Sequence, residues 1–131
     1  MTKTFPDFSV VIPAYNSLEL FRGALHSVLM QKGVSLSIIV TDDSVHSDIE
    51  EYVCKSDLPQ VHYVRNKPPV GAVKNWNFGL SKAKGDYTIL LHHDERLPDP
   101  DFLKNALAQL RNDGLDLLIS DTVVHLPGNV R

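Results

Sequence analysis

Short apolar runs rich in β-branched residues alternate along this chain with longer stretches of helical periodicity, and that alternation leaves few folds open. Ser9–Pro13 reads as a buried strand stopped by proline. Asn16-Ser17 offers an N-cap to a helix over Leu18–Gln31, where Leu18, Phe21, Leu25, Val28 and Leu29 recur on one face until Gly33 ends it. Leu36–Val40 is a second strand, and Ser47–Ser56 is helical with Ile49, Tyr52 and Val53 on one side. Val61–Arg65 alternates like a third strand before the loop Asn66-Lys67-Pro68-Pro69. Val70–Lys84 is helical up to Gly85, and Tyr87–Leu91 is a fourth strand. Pro98-Asp99-Pro100 opens a helix over Asp101–Asn112, and Leu115–Ser120 reads as a fifth strand.

This order predicts an α/β domain with a mostly parallel sheet and helices on both faces. Residues 1–131 show no internal repeat, low-complexity tract or linker, so one domain is expected. In such sheets ligands bind beyond the carboxyl ends of the strands, where the strand order reverses. The polar clusters fall there: Ala14–Asn16 after strand one, Asp42-Asp43 after strand two and His92–Glu95 after strand four.

Thirteen basic against sixteen acidic residues give a net charge of -3, which argues against a nucleic-acid partner, since phosphate contacts call for a basic face. Cys54 is the only cysteine, which excludes an intrachain disulfide and a cysteine-based zinc site. The N-terminus lacks the apolar core of a signal peptide, and no apolar run reaches the roughly 18–20 residues of a membrane span, so a cytoplasmic protein is expected. His-Glu-x-x-His, Gly-x-Ser-x-Gly, a P-loop and Gly-x-Gly-x-x-Gly are all absent, which argues against a zinc hydrolase, a serine hydrolase, an NTPase and a Rossmann dehydrogenase. His26, His46, His62 and His125 have no ligand spacing and read as surface or edge residues.

Four motifs stand in register: Val10–Asn16 (Val-Val-Ile-Pro-Ala-Tyr-Asn), Val40–Ser44 (Val-Thr-Asp-Asp-Ser), Gly71…Asn77…Gly79, and Lys84-Gly85-Asp86-Tyr87 leading to His92-His93-Asp94-Glu95. From about Phe8 to the end, the chain resembles the family 2 glycosyltransferases of the GT-A fold, a Rossmann-like nucleotide-diphospho-sugar-binding architecture. The resemblance implies a nucleoside-diphosphate sugar donor, with a UDP-sugar favoured, a Mn²⁺ or Mg²⁺ cofactor, and inverting transfer to an acceptor that is a saccharide, lipid or protein.

The resemblance also implies roles. Pro13, Ala14 and Tyr15 would present backbone and an aromatic ring to the nucleobase, although Tyr15 also reads as a partly buried loop residue. Asp43 matches the position that accepts a hydrogen bond from the base, while Asp42 orders its loop or caps the next helix. Gly71 opens a helix whose backbone N–H groups face a phosphate, with Lys74 and Asn77 supporting the nucleotide. Trp76 stands where arginine is common and Asn75 where a small residue is usual, so Trp76 reads either as core packing or as part of the site. His92–Glu95 takes the place of the Asp-x-Asp signature. Asp94 is the foremost metal ligand and Glu95 the second, and His92 either joins them or fills the strand end. His93, expected on the opposite face if the strand continues, would meet the donor sugar or ribose.

Inverting transfer needs a general base, which the family carries beyond this region. The chain ends at Arg131, and Asp121 does not match that motif. A C-terminally truncated donor-binding half is therefore expected, inactive alone, with any peripheral membrane attachment in the missing portion. Apolar surface left open at that end would favour self-association. Two rivals stand beside this reading. One is a non-catalytic nucleotide-binding or interaction module of the same fold. The other is a nucleotidyltransferase, disfavoured because no glycine- and arginine-rich loop follows strand one.

Overall fold

The computed structural model describes residues 4–126. Four strands, β1 (Phe8–Ala14), β2 (Leu36–Asp42), β3 (Val61–Arg65) and β4 (Tyr87–Leu90), form one sheet in the order β3-β2-β1-β4. All three pairings are parallel, with Val10 opposite both Ile38 and Ile89. The chain moves outward from β1 to β3 and then crosses back to place β4 on the other side of β1, so the strand order reverses between β1 and β4.

Four helices connect and cover the strands: α1 (Leu18–Leu29), α2 (Asp48–Ser56), α3 (Ala72–Ser81) and α4 (Phe102–Asn112). Because side chains alternate across a strand, Val10, Ile12, Ile38 and Val40 point to one face, where they share a core with Phe21, Leu25 and Val28 of α1, Ile49 of α2, and Leu103 and Leu107 of α4. Val11 and Thr41 point to the other face, which α3 covers. A Cβ on Gly79 would run into the Val11 side chain, so the glycine lets α3 lie directly on the sheet. β1 is buried at every position because it has a strand on each side and helices above and below.

The turn into β4 is held by Ser9, whose buried hydroxyl accepts the backbone N–H groups of Lys84 and Gly85 at 3.0 and 2.8 Å. A Cβ at Gly85 would overlap the backbone of Phe8 and Ser9.

Three expectations change. Leu115–Ser120 does not form a fifth strand. Leu115 is anchored, its N–H donating to the Leu110 carbonyl and its own carbonyl accepting the Tyr87 hydroxyl. Beyond it Leu117 and Ile119 are 72% and 83% exposed, and a gap of about 310 Å³ separates the segment from β4. Leu115 and Leu118 are partly buried against the core, but strand propensity depends on neighbours alongside, and no described strand pairs with this segment. Leu117, Ile119, Val123, Val124 and Leu126 are exposed apolar side chains of this stretch. Second, α1 begins without a side-chain cap. Asn16, at φ 58°, spends its Oδ1 on the Val45 N–H and gives its own N–H to Ser44 Oγ, joining the loops after β1 and β2. Third, β4 stops at Leu90, so the continued strand geometry that would turn His93 to the opposite face is not met.

Candidate functional site

A cleft of about 680 Å³ opens at the carboxyl ends of the strands, over the reversal of strand order. β1 contributes Pro13 and Ala14, and Tyr15 follows them, 53% exposed. Asp43 enters from the end of β2, and Pro69, Gly71, Ala72, Asn75 and Trp76 enter from the loop before α3 and its first turns. His92, His93, Asp94 and Glu95 close the far side.

Asp42 and Asp43 are adjacent buried carboxylates, a costly pair unless donors compensate. Protein donors do so on both. Asp42 accepts the Ser44 N–H at 2.9 Å and the Tyr63 hydroxyl at 2.5 Å, so it orders its own loop and does not cap α2. Burial, followed by the hydrogen bond to Asp42, pushes the Tyr63 hydroxyl well above its ordinary pKa. Asp43 accepts the N–H groups of Val70 and Gly71 at 2.8 and 2.9 Å and the Asn66 amide at 3.0 Å. Gly71 holds φ at 94°, a left-handed value that suits glycine.

Sequence reasoning passed over the residues behind Asp43. Asn66 also donates to Asn75 Oδ1 at 2.8 Å, and Asn75, 2% exposed, donates to the Thr41 carbonyl at 2.9 Å. The Thr41 hydroxyl returns a bond to the Asn75 carbonyl at 3.3 Å. The available signal was an asparagine just past a strand end and a second one where a small residue is usual. Arg65 ends β3 nearly buried, donating to the Val45 carbonyl at 3.0 Å and pairing with Glu50 at 3.3 Å.

Helix phase decides what α3 presents. Successive residues turn by about 100°, so Ala72, Asn75, Trp76 and Gly79 share the inner face. Lys74 and Asn77 lie on the exposed side and do not line the cleft. Trp76 is not core packing: it is half-buried on the cleft wall, its ring edge-on to His92 with centroids 4.9 Å apart.

At the end of β4, the Glu95 N–H donates to the His92 carbonyl at 2.9 Å and closes a turn. That turn carries both His92 and His93 into the cleft, where alternation along a strand would have separated them. Glu95 Oε2 accepts the His92 N–H at 2.8 Å and lies 3.2 Å from His92 Nδ1. His92 Nε2 is enclosed without a partner. Asp94 is exposed, and among the described residues no hydrogen bond or ion pair engages it. No group of three or more His, Cys, Asp or Glu among the described residues could hold a metal on its own. Among these residues too, no helix is long and apolar enough to cross a membrane.

The chain is similar to known proteins along most of its length. It is 31% identical over 126 residues to the succinoglycan biosynthesis protein ExoO of Rhizobium meliloti, covering 88% of this chain and 35% of that protein. It is 29% identical over 131 residues to the GalNAc(5)-diNAcBac-PP-undecaprenol beta-1,3-glucosyltransferase of Campylobacter jejuni, covering 95% of this chain and 41% of that protein. The chain thus spans well under half the length of these relatives. Among solved structures, S. aureus TarS 1-349 in complex with UDP-GlcNAc matches at a TM-score of 0.72 and 23% identity, over 81% of this chain and 31% of that one. The mannosyltransferase PcManGT from Pyrobaculum calidifontis, in complex with GDP-Man and Mn²⁺, matches at 0.71 and 23% over 81% and 32%. At that identity the structures establish the fold, which is the GT-A architecture expected from the motifs. A family model described as glycosyl transferase family 2 matches residues 9–131, and the chain belongs to that family.

Proposed function

We propose that the cleft binds a nucleoside-diphosphate sugar, with a UDP-sugar favoured, together with Mn²⁺ or Mg²⁺, as the donor side of an inverting glycosyl transfer. The observation that carries this reading is that one cavity holds Asp43, Tyr15 and Asp94 at the ends of β2, β1 and β4. Three of the roughly four acceptor sites on the Asp43 carboxylate are taken by protein donors, which leaves one on Oδ2 for a base N–H. Tyr15 offers a ring at the mouth, and Pro13 and Ala14 offer backbone. Related folds solved in complex with UDP-GlcNAc and with GDP-Man add support for a nucleotide sugar.

The donor set fits a hard cation that is completed by phosphate oxygens. Mn²⁺ and Mg²⁺ at such sites take one or two carboxylates, with the diphosphate and water supplying the rest. Asp94 is the residue that would hold it; Glu95 is committed to His92, and His92 Nε2 is enclosed. None of the described residues lining the cleft is Lys or Arg, so a diphosphate there meets no lining side-chain cation. When bound, the metal would offset the charge that develops on the departing diphosphate. Inversion requires in addition a base for the acceptor hydroxyl, a role assigned to no described residue. A nucleotide-binding module without transfer is the second reading, favoured by the pairing of Glu95 with His92 at the metal position.

Calorimetric titration with UDP and with GDP, each in Mn²⁺ and in EDTA, tests the proposal. Metal-dependent binding of one nucleotide is the expected result and names the base. Absence of binding by both under either condition would overturn it.

A further inference from the structure

Trp76 is the only tryptophan of the chain, and α3 places it on the cleft wall. It is braced on two sides. Its ring meets that of His92 at an interplanar angle of 74°, and His92 is held by Glu95 through its backbone N–H and Nδ1. The turn of α3 that carries it is pinned to β2 by the paired hydrogen bonds between Asn75 and Thr41. A ring that leans on a held neighbour and rises from an anchored turn can select by shape, because less ordering remains to be done when a ligand arrives.

Strand order places this wall along the cleft. β2 and β4 are two positions apart, about 10 Å at the usual strand spacing of ~4.8 Å. Asp43 stands at the β2 end, whereas Trp76 touches His92 at the β4 end, beside Asp94. The wall there combines an aromatic ring with the carboxylates of Asp94 and Glu95 and, among the described lining residues, has no lysine or arginine. That chemistry suits a pyranose. Its polarised C–H groups pack against the negative face of an indole, and its hydroxyls donate to Glu95 Oε1, the carboxylate oxygen that His92 leaves free.

Building on the donor-binding reading above, we propose that Trp76 is the residue against which the hexose of the donor packs, and that it sets sugar selectivity, with His92 and Glu95 as its positioning residues. The test compares UDP with UDP-glucose, UDP-galactose and UDP-GlcNAc in Mn²⁺ by calorimetry, with Trp76 fluorescence followed in parallel. At least one UDP-hexose should bind about five-fold more tightly than UDP, the size of one good aromatic contact, and perturb the fluorescence more. Trp76→Ala should abolish that preference, weakening the UDP-hexose about five-fold more than UDP, and Trp76→Phe should keep part of it. Should the protein bind GDP in place of UDP, the same comparison is run with GDP-hexoses. Wild-type binding of nucleotide without any preference for a hexose would overturn the proposal. Equal loss of UDP and UDP-hexose in both variants would also overturn it, with the donor site left standing. If wild type binds neither UDP nor GDP, the donor-site reading itself fails, and the sugar platform with it.

Discussion

The carboxylate of Asp43, just past the end of β2, accepts the backbone N–H of Gly71, at the start of α3, at 2.9 Å. The bond is a structural clasp and at the same time orients the residue proposed to read the base. Asp43→Asn retains the shape but turns an amide N–H₂ toward donors, so one of the three existing bonds is lost if the N–H₂ replaces Oδ2 and two if it replaces Oδ1. Stability should fall by about 1–3 kcal/mol, and nucleotide affinity by about ten-fold or more. Urea unfolding and UDP titration on the same variant measure both. Unchanged affinity in a destabilised protein would leave Asp43 with the clasp alone.

Asp94 invites the opposite pattern. It is exposed, and no described residue holds it, so Asp94→Ala should leave stability within about 0.5 kcal/mol. Nucleotide affinity in Mn²⁺ should drop to the value measured in EDTA. Glu95→Ala is the companion, because Glu95 is spent on His92. It should reduce the effect of metal less than Asp94→Ala does. The reverse ranking in paired titrations would make Glu95 the metal ligand.

Asn75 is the buried polar residue that sequence reading left without a role. Asn75→Ala deletes the amide that bonds both Thr41 and Asn66, the latter a direct partner of Asp43. The expected cost is about 1–3 kcal/mol, read as a lower urea midpoint at unchanged m. Nucleotide affinity should fall as well, because the Asn66 side-chain amide loses one of its two partners. A fully stable variant would mean that water or a shifted Asn66 replaces the amide.

What could be read in advance divides along a physical line. Ile38–Val40 and Val61–Arg65 announced themselves because apolar content and alternation are local properties, and these strands have partners to satisfy them. Leu115–Ser120 carries a similar local pattern and makes no strand, since a ladder depends on what lies alongside. At the cleft, motif position put Asp43 and Asp94 at strand ends, where the structure has them. Motif position does not encode helix phase, however, and phase takes Lys74 and Asn77 away from the cavity while bringing in Asn75 and Trp76. The inward turn of both His92 and His93 follows from β4 ending at Leu90, and the Tyr87–Leu91 pattern gave no sign of that early stop. Asn66 was read only as a loop residue, and its bonds to Asp43 and Asn75 become visible only when β3 lies beside β2.

Tyr63 and Asp42 give the pH prediction. The hydroxyl donates to a carboxylate with no solvent exposure, and burial followed by that bond raises the Tyr63 pKa. An unfolded tyrosine titrates near about 10. A raised value in the fold therefore adds stability that is fully present below about pH 10 and is lost as pH rises from there toward the folded pKa. Tyr63→Phe removes the bond and leaves Asp42 Oδ2 without its donor, at a cost of about 1–3 kcal/mol near neutral pH. The variant also lacks the titrating group, so the stability gap between it and wild type should narrow above about pH 10. Urea midpoints of both proteins at about pH 8, 9.5 and 11 decide the matter. Profiles that stay parallel across that range would show that the Tyr63 hydroxyl is not held more tightly in the fold than in the unfolded chain.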